Sequence, residues 1–142
     1  MLRKLSLTPA VLLVAFLFSG CAEMMGGGSD AMVKMFTDKL GITNNQAMGG
    51  AGSELTLAKE KMSRMDFDAL SKAVPGSDTF MKAAKDLGAV TGPIGDKAGL
   101  QSAFQRLGMD AGMMDKFTKM FSDYAGKNGG DAVKTALAGM FR

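Results

Sequence analysis

The chain has no histidine and no tryptophan, and its 142 residues include one cysteine, one tyrosine and three prolines. Without histidine, the usual general base of nucleophilic triads and a common zinc ligand are both missing. With one cysteine, no disulfide can form within the chain. We therefore expect a protein that is not an enzyme, with no catalytic residue, no metal site and no cofactor.

The excess of one sign of charge over the other is also small. The chain has 17 basic and 14 acidic residues, but Arg3 and Lys4 precede an apolar N-terminal run. Beyond residue 20 the net charge is 15 − 14 = +1. The basic residues are scattered and form no stretch that would follow a phosphate backbone. The sequence therefore predicts no nucleic-acid partner.

The N-terminal segment has the pattern of a secretory signal. Arg3 and Lys4 are followed by a mostly apolar stretch that is unbroken over residues 10–18. This run is shorter than the roughly 20 apolar residues that span a bilayer. A short apolar run behind a basic start is typical of an export signal instead. We expect residues 1–20 to be a cleaved signal peptide.

Phe18-Ser19-Gly20-Cys21 resembles the lipobox of bacterial lipoproteins, with phenylalanine where leucine is commoner. The resemblance implies cleavage between Gly20 and Cys21 and lipidation of the Cys21 thiol. Several acyl chains then hold a protein almost permanently, because each buried methylene contributes about 0.8 kcal/mol. Ala22 in place of aspartate implies transfer to the outer membrane, on the face towards the periplasm. The alternative is an ordinary signal peptide with a cysteine there by chance.

Residues 21–29 include three consecutive glycines, Gly26, Gly27 and Gly28, and read as a lipidated cysteine with a glycine-rich tether. Residues 30–142 then form one domain, a size at which single domains are common. Apolar residues recur at helical spacing, no segment alternates as a strand does, and capping residues divide the helices. The predicted fold is all-α, a compact bundle of about six or seven short helices. Predicted N-caps are Ser29 or Asp30, Thr43, Ser63, Ser77 or Asp78, Asp96, Asp110 and Asp131. The predicted apolar face of the second helix is Ala47, Ala51, Leu55, Ala58 and Met62, and that of the helix after Asp110 is Met113, Phe117, Met120 and Tyr124, flanked by Met114 and Phe121. Residues 89–95 are expected to be a looser stretch.

Two local patterns leave alternatives open. Residues 40–43 and 107–110 both read as leucine, glycine, apolar residue and cap, which indicates either a duplicated helical hairpin or two ordinary helix junctions. Residues 49–52 place three glycines inside a predicted helix, where each costs about 1 kcal/mol relative to alanine. Close approach of another helix is the favoured explanation, and a glycine face within a membrane is the second.

One set of short motifs runs through the mature part of the chain: Leu40-Gly41-Ile42-Thr43, Gln46-Ala47, Gly49-Gly50-Ala51-Gly52, Phe67, Ala73-Val74-Pro75-Gly76, Phe104, Leu107-Gly108-Met109 and Phe117. In these motifs the chain resembles the VcgC/VcgE-type family of small exported bacterial proteins of unknown function. The resemblance covers roughly residues 36–140. It implies a helical, exported domain, and it brings no catalytic or binding residue with it.

Methionine is abundant, with 14 residues in the chain. Its flexible side chain fills irregular gaps in cores, which is the first explanation of this abundance. An adaptable apolar groove for a partner helix or a lipid is the second, and capture of copper(I) by thioethers is the third. The candidate groove consists of Met109, Met113, Met114, Phe117, Met120 and Phe121.

These observations favour a non-catalytic interaction or structural module of the cell envelope. Its expected partners are the membrane, through the lipid on Cys21, and an envelope protein. The alternative is a small binder of a hydrophobic ligand or metal through the methionine-rich helices. An enzyme of unfamiliar design is the third hypothesis.

Overall fold

A computed structural model describes residues 27–141. The predicted signal peptide, Cys21 and the first part of the predicted tether lie outside this range. The described part of the chain is helical without strands, so the all-α prediction is confirmed. No helix within it is long and apolar enough to cross a membrane. The helices are α1 Gly27–Leu40, α2 Asn44–Lys61, α3 Arg64–Ala73, α4 Ser77–Asp86, α5 Lys97–Arg106, α6 Ala111–Gly129 and α7 Asp131–Met140.

Short polar side chains begin four of these helices, as predicted. The Thr43 hydroxyl accepts from the backbone N–H of Gln46 at 3.1 Å, and the Gln46 side chain accepts from the N–H of Thr43 at 3.0 Å. This reciprocal capping box satisfies two N–H groups that the first turn of α2 leaves free. The side chains of Ser63, Asp96 and Asp110 cap α3, α5 and α6 in the same position.

The α1–α2 and α5–α6 junctions share one geometry. Gly41 and Gly108 have positive φ angles of 66° and 82°, which glycine adopts without the strain of a Cβ. The apolar residue after each glycine is buried, and the next residue is the N-cap. The Gln46 side chain donates from Nε2 to the carbonyl of Leu107 at 3.0 Å. This bond joins the two junctions at one end of the bundle.

Helix α2 lies at the centre of the bundle and contacts each of the other six helices. Its residues 49–55 are buried without interruption. A Cβ on Gly52 would overlap the backbone carbonyl of Phe80 on α4, and a Cβ on Gly50 would lie 2.9 Å from the Phe117 ring. The glycines therefore allow neighbouring helices to approach, as the first explanation of residues 49–52 predicted.

Four helices differ from the expectation in detail. Gly76 and Gly130 precede α4 and α7 without a side-chain cap, so the predicted caps Ser77 or Asp78 and Asp131 are wrong and lie in the first turns of these helices. Helix α1 begins at Gly27, two residues before the predicted cap at Ser29, whose side chain lies beside Gly76 in the α3–α4 turn. The predicted stripe of α6, Met113, Phe117, Met120 and Tyr124, is wrong in register, because Met114 and Phe121, which were predicted only to flank it, are buried instead. The residues buried on α6 are Met114, Phe117, Phe121 and Ala125. Both stripes contain Phe117, and helical spacing alone does not show which of two overlapping stripes faces the core.

The segment between α4 and α5 was expected to be loose, but two charged side chains hold it. The Glu60 carboxylate accepts from the backbone N–H groups of Ile94 and Gly95 at 2.9 and 2.8 Å. The Arg106 guanidinium donates to the carbonyl of Ala89 at 3.1 Å. Hydrogen bonds to charged groups contribute about 1.5–3 kcal/mol. The segment is thus attached to the ends of α2 and α5.

The close contact between α2 and α4 at Gly52 predicts that one added methyl group strongly lowers the free energy of unfolding. Replacing Gly52 by alanine forces α2 and α4 apart, because the obstructing atom is backbone and cannot rotate away. We expect Gly52→Ala to lower the free energy of unfolding by at least about 2 kcal/mol, as overpacking of a core does. Urea denaturation followed by circular dichroism measures the change.

Gly139→Ala is the matched control, because a Cβ at that helical position would meet no described atom within 4 Å apart from its chain neighbours and the backbone of its own helix. It should leave stability unchanged or raise it by up to about 1 kcal/mol through helix propensity. Equal stabilities of the two variants would contradict the close approach of α2 and α4.

Candidate functional site: a buried carboxyl on helix α2

Glu54 is a titratable side chain in the middle of the central helix, with no surface exposed to solvent. Its Oε1 atom accepts a hydrogen bond from the Thr118 hydroxyl of α6 at 2.7 Å. Its Oε2 atom is buried and has no hydrogen-bond partner among the described residues. A buried carboxyl with an unsatisfied oxygen costs free energy that the fold must offset elsewhere.

Burial raises the pKa of Glu54 from its ordinary value of 4.5 to about 8, and the hydrogen bond from Thr118 opposes this rise. Removal from water disfavours the charged form, and no ion pair among residues 27–141 involves this carboxyl to compensate. Glu54 is therefore mainly a neutral carboxylic acid at pH 7. Its zero exposure means that a substrate would reach it only after helices separate.

The polar neighbours of Glu54 along α2 form hydrogen bonds to the backbone of their own helix. The Ser53 hydroxyl donates to the carbonyl of Gly49, and the Thr56 hydroxyl donates to that of Gly52, each at 2.7 Å. Such bonds to the preceding turn allow a hydroxyl to be buried without an outside partner. Glu54 lacks this option and depends on Thr118 of another helix.

The structure places most of the predicted methionine groove inside the core. Met109, Met114, Phe117 and Phe121 are buried, and the Phe117 ring stacks on Phe36 of α1 with centroids 4.0 Å apart. Met113 and Met120 are partly buried at the edge of the core. The four buried side chains therefore do not line an open groove, and their positions match the core-filling explanation of the methionines.

Of those six residues, Met120 lines a surface cavity of about 430 Å³ between α1 and α6. Met35 and Tyr124 supply the other large apolar surfaces of the cavity. Its polar lining consists of Lys39, Asp123, Lys127 and Asn128, so the bases outnumber the acids by one. Small-molecule sites typically occupy about 300–1,000 Å³ and combine apolar walls with a few polar groups. The cavity is thus of a suitable size for a small apolar ligand.

The described residues contain no group of three or more histidine, cysteine, aspartate or glutamate side chains placed to hold a metal ion. Asp66 accepts a hydrogen bond from the Ser63 hydroxyl at 2.8 Å, and Asp68 is exposed on the same helix. Gly20 and Cys21, the predicted cleavage and lipidation site, lie outside the described residues.

Sequence reasoning missed Glu54 as a buried group, although a signal was present. The predicted apolar face of α2 included Ala51 and Ala58, and Glu54 lies three residues after the first and four before the second. Residues three and four apart share a helix face. The spacing thus placed a carboxyl on the face expected to be buried.

The raised pKa of Glu54 predicts a pH-dependent stability. The unfolded chain releases this proton near pH 4.5, whereas the folded protein keeps it until about pH 8. The stability that the folded protein gains by keeping this proton is thus fully present below pH 4.5 and is lost as the pH rises through 8. We expect the free energy of unfolding to fall by up to about 1.4 kcal/mol per pH unit between these values.

Denaturant titrations from pH 5 to 9 measure this slope. Glu54→Gln removes the titrating group while keeping the side-chain shape, so its slope should be flatter than that of the unchanged protein. Asp68→Asn removes an exposed carboxyl instead and should retain the original slope. Identical slopes in all three proteins would show that Glu54 does not titrate in this range.

No curated protein and no solved structure matches the chain. A family model described as protein of unknown function VcgC/VcgE (DUF2780) matches residues 21–141. The match includes the described helices and agrees with the resemblance seen in the sequence. The chain therefore belongs to the VcgC/VcgE family of proteins of unknown function.

Proposed function

We propose that the protein is a lipid-anchored module of the bacterial cell envelope that acts without catalysis, by holding a helical domain at a membrane for another envelope protein to bind. The observation that carries this proposal is the position of Cys21. It is the single cysteine of the chain, it follows an apolar segment and the small residues Ser19 and Gly20, and α1 begins only six residues later.

The polar groups of the domain support a structural role. Glu60 and Arg106 hold the α4–α5 segment, Gln46 joins two helix junctions, and Asp96 caps a helix. These four side chains are thus engaged in holding the fold together. Histidine, the usual general base at neutral pH, does not occur in the chain.

The anchor is tested by changing the thiol that carries it. In its native host, the unchanged protein should incorporate labelled palmitate and fractionate with membranes. Cys21→Ser should abolish the label and release the protein from the membrane fraction, because an unlipidated domain has no acyl chain to bury. Fluorography and membrane fractionation give the two readouts.

Ala22→Asp serves as the matched control, because it keeps the thiol and changes only the residue expected to direct sorting. It should retain the palmitate label and shift the protein from the outer towards the inner membrane. An unlabelled wild-type protein, or an unchanged location of Cys21→Ser, would contradict the anchor. Co-purification of one envelope protein after crosslinking in intact cells tests the partner.

A second candidate function is binding of a small apolar ligand, and the cavity between α1 and α6 favours it. Met35, Met120 and Tyr124 offer adaptable apolar surface there, and Lys39 and Lys127 can meet an acidic head group. This site uses Met120 but not the core methionines Met109 and Met114. A fatty acid has this combination of an apolar chain and a carboxylate.

Native mass spectrometry with added oleate tests this second function. We expect one bound oleate, and Met120→Gln should weaken its binding because a polar amide replaces apolar cavity surface. Met65→Gln is the control, because Met65 is 81% exposed and does not line the cavity. No adduct, or equal weakening by both variants, would remove this candidate.

A further inference from the structure

The first turn of α1 and two helix connections meet at one end of the bundle. The Ser29 side chain lies 3.2 Å from the position of a Cβ on Gly76, in the α3–α4 turn. Ala73, at the end of α3, lies 2.9 Å from the position of a Cβ on Gly129, at the end of α6. We call this the proximal end, formed by residues 27–31, 72–78 and 127–132.

The opposite end is formed by the α1–α2 and α5–α6 junctions that Gln46 joins, and we call it the distal end. Helix α1 runs from proximal to distal over 14 residues, about 21 Å. Helix α6 returns over 19 residues, about 28 Å. The stacking of Phe36 on Phe117 shows that these two helices lie side by side. The two ends are therefore separated by more than 20 Å.

The chain between Cys21 and the proximal end is short. The separation is 27 − 21 = 6 residues, which span at most about 20 Å when fully extended. A flexible chain of that length has a root-mean-square reach of about 13 Å. Turning the distal end onto the membrane would lift Gly27 about 21 Å from the surface, the length of α1. That position requires a fully stretched tether and is opposed by chain entropy.

Side-chain chemistry at the proximal end neither drives insertion into a membrane nor strongly attracts or repels its surface. Its exposed charges are nearly balanced, with Asp30, Asp78 and Asp131 against Lys72 and Lys127. The exposed large apolar side chains of the described residues, Met65 and Leu87, lie elsewhere. Neither strong attraction nor an apolar wedge is present, so the short tether sets the orientation.

We propose that the proximal end faces the lipid bilayer and that the tether keeps the distal end away from it, where it is open to the envelope. This inference rests on the proposed lipid anchor at Cys21. It specifies which surface of the domain faces the bilayer, namely the one formed by residues 27–31, 72–78 and 127–132.

The test uses the lipidated full chain, purified from its host and reconstituted into phosphatidylethanolamine–phosphatidylglycerol vesicles that contain a nitroxide-headgroup lipid. Acylation blocks the single natural thiol, so an introduced cysteine is the sole labelling site. Ala132→Cys at the proximal end and Gln105→Cys at the distal end are both exposed helical positions. We expect the nitroxide to quench a fluorophore at residue 132 severalfold more strongly than one at residue 105.

Equal quenching, or stronger quenching at residue 105, overturns the orientation while leaving the lipid anchor intact. A protein of unlipidated mass that fails to float with the vesicles overturns the anchor and the orientation together. A further variant with about 20 glycine and serine residues inserted after Ala22 lengthens the tether severalfold. The difference in quenching between residues 132 and 105 should then shrink. If it persists, the short tether is not what orients the domain.

Discussion

The contact between α2 and α4 is the constraint on which the rest of the bundle depends. At Gly52 the two helices are so close that the carbonyl of Phe80 occupies the space of a side chain. Gly49 admits leucine side chains from the residues that follow α4 and α5, and Gly50 admits phenylalanine side chains of α5 and α6. Small residues on one helix thus let a shell of short helices bury their large apolar side chains against it.

The sequence predicted much of the fold because helix boundaries carry local chemical signals. Thr43, Ser63, Asp96 and Asp110 each cap a helix where expected, and Gly108 ends one. These signals depend on hydrogen bonds within three or four residues, which a sequence displays directly. The class of fold followed from them and from helical spacing.

The site was less predictable because it depends on contacts between distant residues. The bond from Thr118 to Glu54 joins residues 64 positions apart, and no local pattern indicates it. The α6 stripe was misplaced for a related reason, since Met113 and Met114 both continue an apolar row through Phe117 and only the neighbouring helices select one. The loop at Ile94 was misjudged because its partner, Glu60, lies on α2.

The glycines of α2 also bear on how the chain folds. A segment with Gly49, Gly50 and Gly52 has weak intrinsic helix propensity and forms little helix alone in water. Its helical state depends on contacts with α1, α3, α4, α5, α6 and α7. We therefore expect α2 to become helical together with the outer helices rather than before them. A chain shortened by one outer helix loses one of the contacts that keep this central segment helical.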